Sequence, residues 1–212
     1  MNNILSPNML KTFETCPKKF EFKYVKNLSM PVDDDIFETG KNIHALASYY
    51  LKKENIDVME KVLSEKEELL WTYLKNIKYF SYECVNTEYN LSVKIGNNFF
   101  GGRLDALMKN NQNNKEHYYI LDYKTGLVPK DAKYDYQTII YMLAVKEFFK
   151  TANITFVYID LKNKSETEIN LTNELVQIYE TKLREIAKKI EKRDNFNKNN
   201  ENCPCEYKII CY

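Results

Sequence analysis

From Val85 onward the apolar residues change their spacing, and this change restricts the fold more than any other feature of the chain. Val85, Thr87, Tyr89, Leu91, Val93 and Ile95 recur at every second position, which puts them on one face of a β-strand and leaves Glu88 on the other. Gly96-Asn97-Asn98 is a hairpin turn signal. A second strand is expected from Phe99 to Met108, a polar, Asn-rich loop from Asn110 to Glu116, and a third strand from Tyr118 to Lys124, ending at Thr125-Gly126. A helix is expected from about Tyr134 to Phe149, followed by a strand from Ile154 to Leu161 and a last helix from about Thr172 to Arg193. Strands and helices in this alternation predict an α/β fold with a mixed central sheet flanked by helices.

The upstream third reads as helical. Ser6-Pro7 supplies a capping hydroxyl and a proline for a first turn, with Leu10 and Phe13 on one face. Residues 29–35 read as a loop, a helix from about Ile36 to Lys53 carries Gly40 and His44, and another spans about Val58 to Phe80. The 212 residues are expected to form one domain, 1–212, with a core of about 36–165 and terminal segments of about 5–28 and 194–212.

A hydrophobic fraction of 44% can supply a core, so disorder is excluded as the general state. Lys plus Arg is 31 against 30 for Asp plus Glu, so net charge does not mark a nucleic-acid binder, although a balanced chain can still carry a basic cleft. No run of about 18 apolar residues is present, which predicts no membrane span. The N-terminus lacks the basic and apolar regions of a signal peptide, so a cytoplasmic protein is expected, where cysteines stay reduced.

The chemistry concentrates in Gly102-Arg103-Leu104-Asp105 and Leu121-Asp122-Tyr123-Lys124-Thr125-Gly126. Positions two apart on a strand share a face, so Asp122 and Lys124 project together, and a paired preceding strand brings Asp105 to the same pocket. Two carboxylates converging in a cleft repel unless a cation sits between them, and oxygen ligands with open positions suit Mg²⁺ or Mn²⁺. A lysine beside them can stabilise charge growing on a phosphate. The plain alternative is a surface hairpin with exposed charges, but Asp122 follows the apolar run Tyr118-Tyr119-Ile120-Leu121, as the end of a buried strand would. Arg103, preceded by two glycines, could touch phosphate or pair with a carboxylate.

Gly-Arg-x-Asp followed by Asp-Tyr-Lys-Thr-Gly resembles the RecB-like branch of the PD-(D/E)XK nucleases, which includes the CRISPR-adaptation nucleases. Leu5-Ser6-Pro7 through Phe13, Cys16-Pro17 and Phe20 is similar to that branch's N-terminal signature, Gly40-x-x-x-His44 to its helical histidine, and Gln137-x-x-x-Tyr141 to the motif after its lysine. The resemblance runs from about residue 5 to 211. It implies a restriction-endonuclease-like core, with metal ligands at His44, Asp105, Asp122 and the carbonyl of Tyr123, and catalysis by Asp105, Asp122 and Lys124. It further implies substrate contacts from Gln137 and Tyr141, which lie one helical turn apart. Glu88 stands where relatives keep an acid, as a residue near the metal or behind its ligands.

The same resemblance implies a [4Fe-4S] cluster on Cys16, Cys203, Cys205 and Cys211, tying the chain ends together. Only Pro204 separates Cys203 from Cys205, where members of the branch have two residues, and zinc is the alternative. Cys84 is left as a small buried residue at a strand start. The expected function is metal-dependent hydrolysis of DNA, as an exonuclease or end-processing enzyme in recombination, repair or foreign-DNA processing. Single strands or DNA ends are the expected substrate, and a helicase or CRISPR-adaptation proteins the expected partners. The alternatives are a catalytically silent DNA-binding or scaffolding module, and a zinc-knuckle interaction protein.

Overall fold

A computed structural model describes residues 4–30, 38–112, 115–151, 153–192, 196–198 and 205–211. The described helices are α1 (Pro7–Thr15), α2 (Pro17–Phe20), α3 (Glu38–Leu51), α4 (Asp57–Lys61), α5 (Glu65–Lys75), α6 (Tyr136–Phe149) and α7 (Asn173–Glu191). The strands β1 (Glu83–Ile95), β2 (Asn98–Gln112), β3 (Lys115–Lys124), β4 (Ile154–Asp160) and β5 (Ser165–Asn170) form one sheet in that order. β3 and β4 run parallel, and every other pair is antiparallel. The parallel step needs a crossover, which α6 supplies. The result is the expected mixed α/β architecture.

Alternation along β3 sorts the core into two layers. Tyr118 and Ile120 face a layer built with Leu10 of α1, Ile139 and Leu143 of α6, and Leu183 and Ile186 of α7. Tyr119, Leu121 and Tyr123 face the other, with Ile43 and Leu46 of α3 and Trp71 and Leu74 of α5. All seven residues of β4 are buried, as expected of a strand covered on both faces. Each such large apolar side chain contributes about 1.5–3 kcal/mol through burial. α6 is buried almost all round, because it lies on the sheet beneath α1 and α7.

Several expectations are corrected. The helix expected over Val58–Phe80 is three pieces, α4, α5 and a 3₁₀ turn at Lys78–Ser81. Ser64 starts α5 with a reciprocal capping box to Glu67, a Ser-x-x-Glu signal that the helical periodicity masked. The polar run from Asn110 extends the β2–β3 hairpin rather than looping out, with Asn110 opposite His117 and Gln112 opposite Lys115. Lys109 bonds Glu116 at 3.1 Å there, so the polar residues pair across an exposed ladder. β5 was not anticipated, since Ile169 is its one buried residue. Cys84 is partly exposed within β1, not buried.

Thr87 does not share a face with its neighbours. Its hydroxyl bonds Ser48 of α3 at 2.7 Å, whereas Tyr89 packs into the layer beneath α6. The next residue, Glu88, has φ +50°, a left-handed conformation that costs an L-residue roughly 1–2 kcal/mol. The strand's alternation breaks at that point.

Candidate active site

The β2–β3 ladder stops pairing at Ala106–Leu121, and the two strands part. Into the gap comes Asp105, whose Oδ2 accepts the backbone N–H of Tyr123 at 2.8 Å. A side chain thus replaces the missing ladder acceptor and fixes Asp105 against β3. Its Oδ1 lies 3.3 Å from Nδ1 of His44, and Nε2 of His44 lies 3.1 Å from the carbonyl oxygen of Tyr123. α3 delivers His44 to this point, and Gly40, one turn earlier, lets the helix approach closely. A Cβ there would lie 3.2 Å from Oγ1 of Thr125.

Glu88 completes a group with His44 and Asp105, their ligand atoms all within 4.8 Å of one another. It is the single group of this kind among the described residues. The left-handed turn at Glu88 accompanies this placement, and Arg103 holds the carboxylate through a 2.9 Å ion pair. Of the two roles expected of Arg103, the structure displays the carboxylate pair.

Asp122 and Lys124 leave β3 on the α6 side. Lys124 Nζ is 2.7 Å from Oδ2 of Asp122 and donates to Oε1 of Gln137 at 3.0 Å. Gln137 Nε2 donates to Oδ1 of Asp122 at 2.9 Å, closing a three-residue ring of contacts. The Asp122 Oδ2 contact is a close ion pair with Lys124, made by a carboxylate that is itself buried. Tyr141, the other residue expected at the substrate, is 4% exposed, and its hydroxyl donates to the carbonyl of Arg103 at 3.0 Å. It packs beneath β2, where a Cβ on Gly102 would lie 2.8 Å from the hydroxyl oxygen.

Burial pushes the Asp122 carboxyl up, and the neighbouring Asp105 charge pushes it further, against the opposing pull of Lys124 and His44. Burial works against the charged form of His44, but the Asp105 carboxylate and the Tyr123 carbonyl outweigh it and raise His44 to about 8. At neutral pH an imidazolium therefore bridges Asp105 and the Tyr123 carbonyl. Those two oxygens face a positive charge, and with Glu88 they make a hard, oxygen-rich donor set of the type that suits a divalent cation once His44 loses its proton. The residues fit a metal on this ground. Open space of about 800 Å³ adjoins the group, lined in part by His44, Glu88, Arg103 and Thr125.

The terminal segments meet across the molecule. Tyr207 donates to the carbonyl of Leu28 at 2.7 Å and its ring lies 5.6 Å from that of Phe22, while Glu206 pairs with Lys19 at 2.9 Å. Cys16 is buried at the junction of α1 and α2, and Cys205 and Cys211 are half-buried and unbridged. Cys203 lies outside the described residues. No helix among the described residues is long and apolar enough to cross a membrane.

A mixed sheet that carries two acids and a lysine where its central strands part, with helices on both faces, defines a restriction-endonuclease-like α/β core. The chain belongs to the PD-(D/E)XK nuclease superfamily, whose model matches residues 4–80 and 71–212. A solved candidate exonuclease from Eubacterium rectale shares the fold at 13% identity, with a TM-score of 0.59 over 96% of this chain and 87% of its own. A second solved protein, SSO0001, is 15% identical with a TM-score of 0.48 over 100% of this chain and 87% of its own. No curated protein sequence matches the chain significantly.

Proposed function

We propose that this chain is a metal-dependent deoxyribonuclease that hydrolyses phosphodiester bonds as an exonuclease or end-processing enzyme. The observation that carries the reading is the convergence of His44, Glu88 and Asp105 within 4.8 Å beside the Asp122–Lys124 pair. His44, Asp105, Asp122 and the Tyr123 carbonyl would hold Mg²⁺ or Mn²⁺, with Glu88 adjoining. When bound, the metal supplies Lewis-acid polarisation of the phosphate and lowers the proton affinity of water.

The chain's own residues do the rest. Lys124, held between Asp122 and Gln137, presents a fixed cation toward charge developing on the phosphate. Gln137 orients that lysine and keeps one Asp122 oxygen occupied. Arg103, with its side chain largely exposed, has a guanidinium within reach of substrate phosphate when it leaves Glu88. Tyr141 supports β2 from below, and we assign its role to packing.

The terminal cysteines Cys16, Cys203, Cys205 and Cys211 would bind a [4Fe-4S] cluster, with zinc as the alternative. The docking of residues 205–211 against the α2 region supports such a tether. DNA ends or single strands, and a helicase or CRISPR-adaptation protein, are the partners this reading carries.

End-labelled single-stranded DNA, double-stranded DNA and RNA, each incubated with Mg²⁺, Mn²⁺ or EDTA, test the proposal. Divalent-dependent shortening of labelled DNA is expected. Failure to cleave any substrate while still binding DNA would favour the silent module instead.

A further inference from the structure

We infer that Lys11 and Asp135 are positioning residues for Gln137, so that α1 sets the amide that bridges Asp122 and Lys124. The inference rests on the reading of Asp122 and Lys124 as the reactive centre, but its geometry is separate from theirs.

Asp135 is the N-cap of α6, and both of its oxygens are committed. Oδ1 accepts the backbone N–H of Gln137 at 2.8 Å, and Oδ2 lies 2.7 Å from Lys11 Nζ, with the carboxylate side chain only 8% exposed. A cap so enclosed cannot rotate without breaking one contact or the other. The following residue is gripped as well, since the Tyr136 hydroxyl donates to Oε1 of Glu14 at 2.5 Å. Lys11 and Glu14 stand three apart on α1, hence on one face, and hold the cap and the first residue of α6. Gln137 comes next. A glutamine amide has several free torsions, so reaching Lys124 at 3.0 Å and Asp122 at 2.9 Å together demands a fixed backbone origin.

α1 is itself anchored to the sheet. Leu5 donates its backbone N–H to the Phe99 carbonyl at 2.8 Å and accepts from Gly101 at 3.1 Å, while Leu10 sits fully buried in the core. The contact line thus runs from β2 through α1 to the first turn of α6 and ends on the reactive pair. α7 braces the turn before α6 independently. Tyr179 donates to the Lys133 carbonyl at 2.6 Å and Lys182 to the Tyr134 carbonyl at 2.9 Å. Loss of Lys11 therefore loosens the cap without unfolding the turn, which separates positioning from stability.

The test uses the full chain with Lys11→Met, Lys11→Arg and Gln137→Ala, alone and combined, read by steady-state cleavage of single-stranded DNA. Lys11→Met should lower kcat roughly tenfold with KM within about twofold, the pattern of a misplaced reactive group rather than weaker binding. Lys11→Arg should recover most of the loss. In the Gln137→Ala background Lys11→Met should cost nothing further, because the residue it positions is gone. A second readout needs no activity: in the metal-free protein, Lys11→Met should shift the Gln137 side-chain amide signals in NMR and speed their exchange. Unchanged amide signals, wild-type kcat in Lys11→Met, or losses that multiply in full with Gln137→Ala would overturn the inference. If the wild type cleaves nothing while the amide signals still respond, the nuclease reading falls and the clamp stands.

Discussion

Asp105 and Tyr123 are joined by a hydrogen bond that belongs to neither strand's ladder, with the Asp105 carboxylate accepting the Tyr123 N–H at 2.8 Å just beyond the last β2–β3 pair. The bond gives Asp105 two duties that substitution can separate. Asp105→Asn keeps an oxygen for the N–H but loses the charge, whereas Asp105→Ala loses both. Asp105→Asn should stay folded with divalent-dependent cleavage lowered by about 100-fold or more. Asp105→Ala should be less stable than Asp105→Asn by about 1–3 kcal/mol, because a buried donor loses its partner. Denaturant melts of the two proteins check this, and equal stabilities would contradict it.

The charge state of His44 makes a pH prediction. Its folded value of about 8 lies above the ordinary 6.5, so protonation favours the metal-free fold. That contribution is complete below about pH 6.5 and is lost as pH rises through about 8, amounting to about 2 kcal/mol at most. Chemical denaturation of metal-free wild type and His44→Ala should show a pH-dependent difference in that window. A constant difference from pH 6 to pH 9 would exclude the bridging imidazolium.

How much of this was legible in the sequence depended on whether a signal was local. Asp122 and Lys124 declared themselves by their two-residue spacing behind an apolar run, and α6 by its apolar length. Residues whose place depends on a contact distant in the chain were less visible. The turn of Glu88 toward His44 requires a positive φ that nothing in Val-Asn-Thr-Glu-Tyr announces. Tyr141 reads as a partner of Gln137 by helical spacing, and its hydroxyl does meet the Gln137 side chain, but that hydroxyl also donates to the Arg103 carbonyl and its ring is buried beneath Gly102, a tertiary placement that spacing alone does not give. The helix expected from about Tyr134 starts instead after Asp135, whose side chain caps it, and the tie of Asp135 to Lys11 depends on a contact distant in the chain. β5 escaped because a polar edge strand has almost no apolar period to detect.

The contact beneath β2 makes Gly102 and Tyr141 interdependent. Gly102→Ala should destabilise the protein by about 1–3 kcal/mol, because its Cβ would crowd a buried ring. Tyr141→Phe removes the oxygen that would lie 2.8 Å from that Cβ, so the double variant should recover part of the loss. Additive losses in thermal melts would rule out the contact as the cause.

Tyr123 faces His44 with its main-chain carbonyl, while its own hydroxyl is buried without a hydrogen-bond partner among the described residues. Burial also holds that hydroxyl protonated. Tyr123→Phe should therefore be as stable as wild type or more so, with cleavage retained. A stability loss above about 1 kcal/mol would mean that the hydroxyl has a partner after all.

The cysteine proposal is tested by colour and content. Anaerobically purified protein should be brown, with about four irons and four sulfides per chain. Cys16→Ala should lose the cluster and Cys84→Ala should keep it. Colourless protein with stoichiometric zinc would support the alternative site.

The central claim is that Lys124 and Asp122 act at the reacting phosphate. The most direct measurement is the single-turnover cleavage rate of end-labelled single-stranded DNA by wild type, Lys124→Ala and Asp122→Asn at saturating Mn²⁺, alongside DNA affinity in EDTA. The account predicts rates lower by about 100-fold or more in both variants, with DNA affinity nearly unchanged. A Lys124→Ala protein that cleaves at the wild-type rate would contradict it.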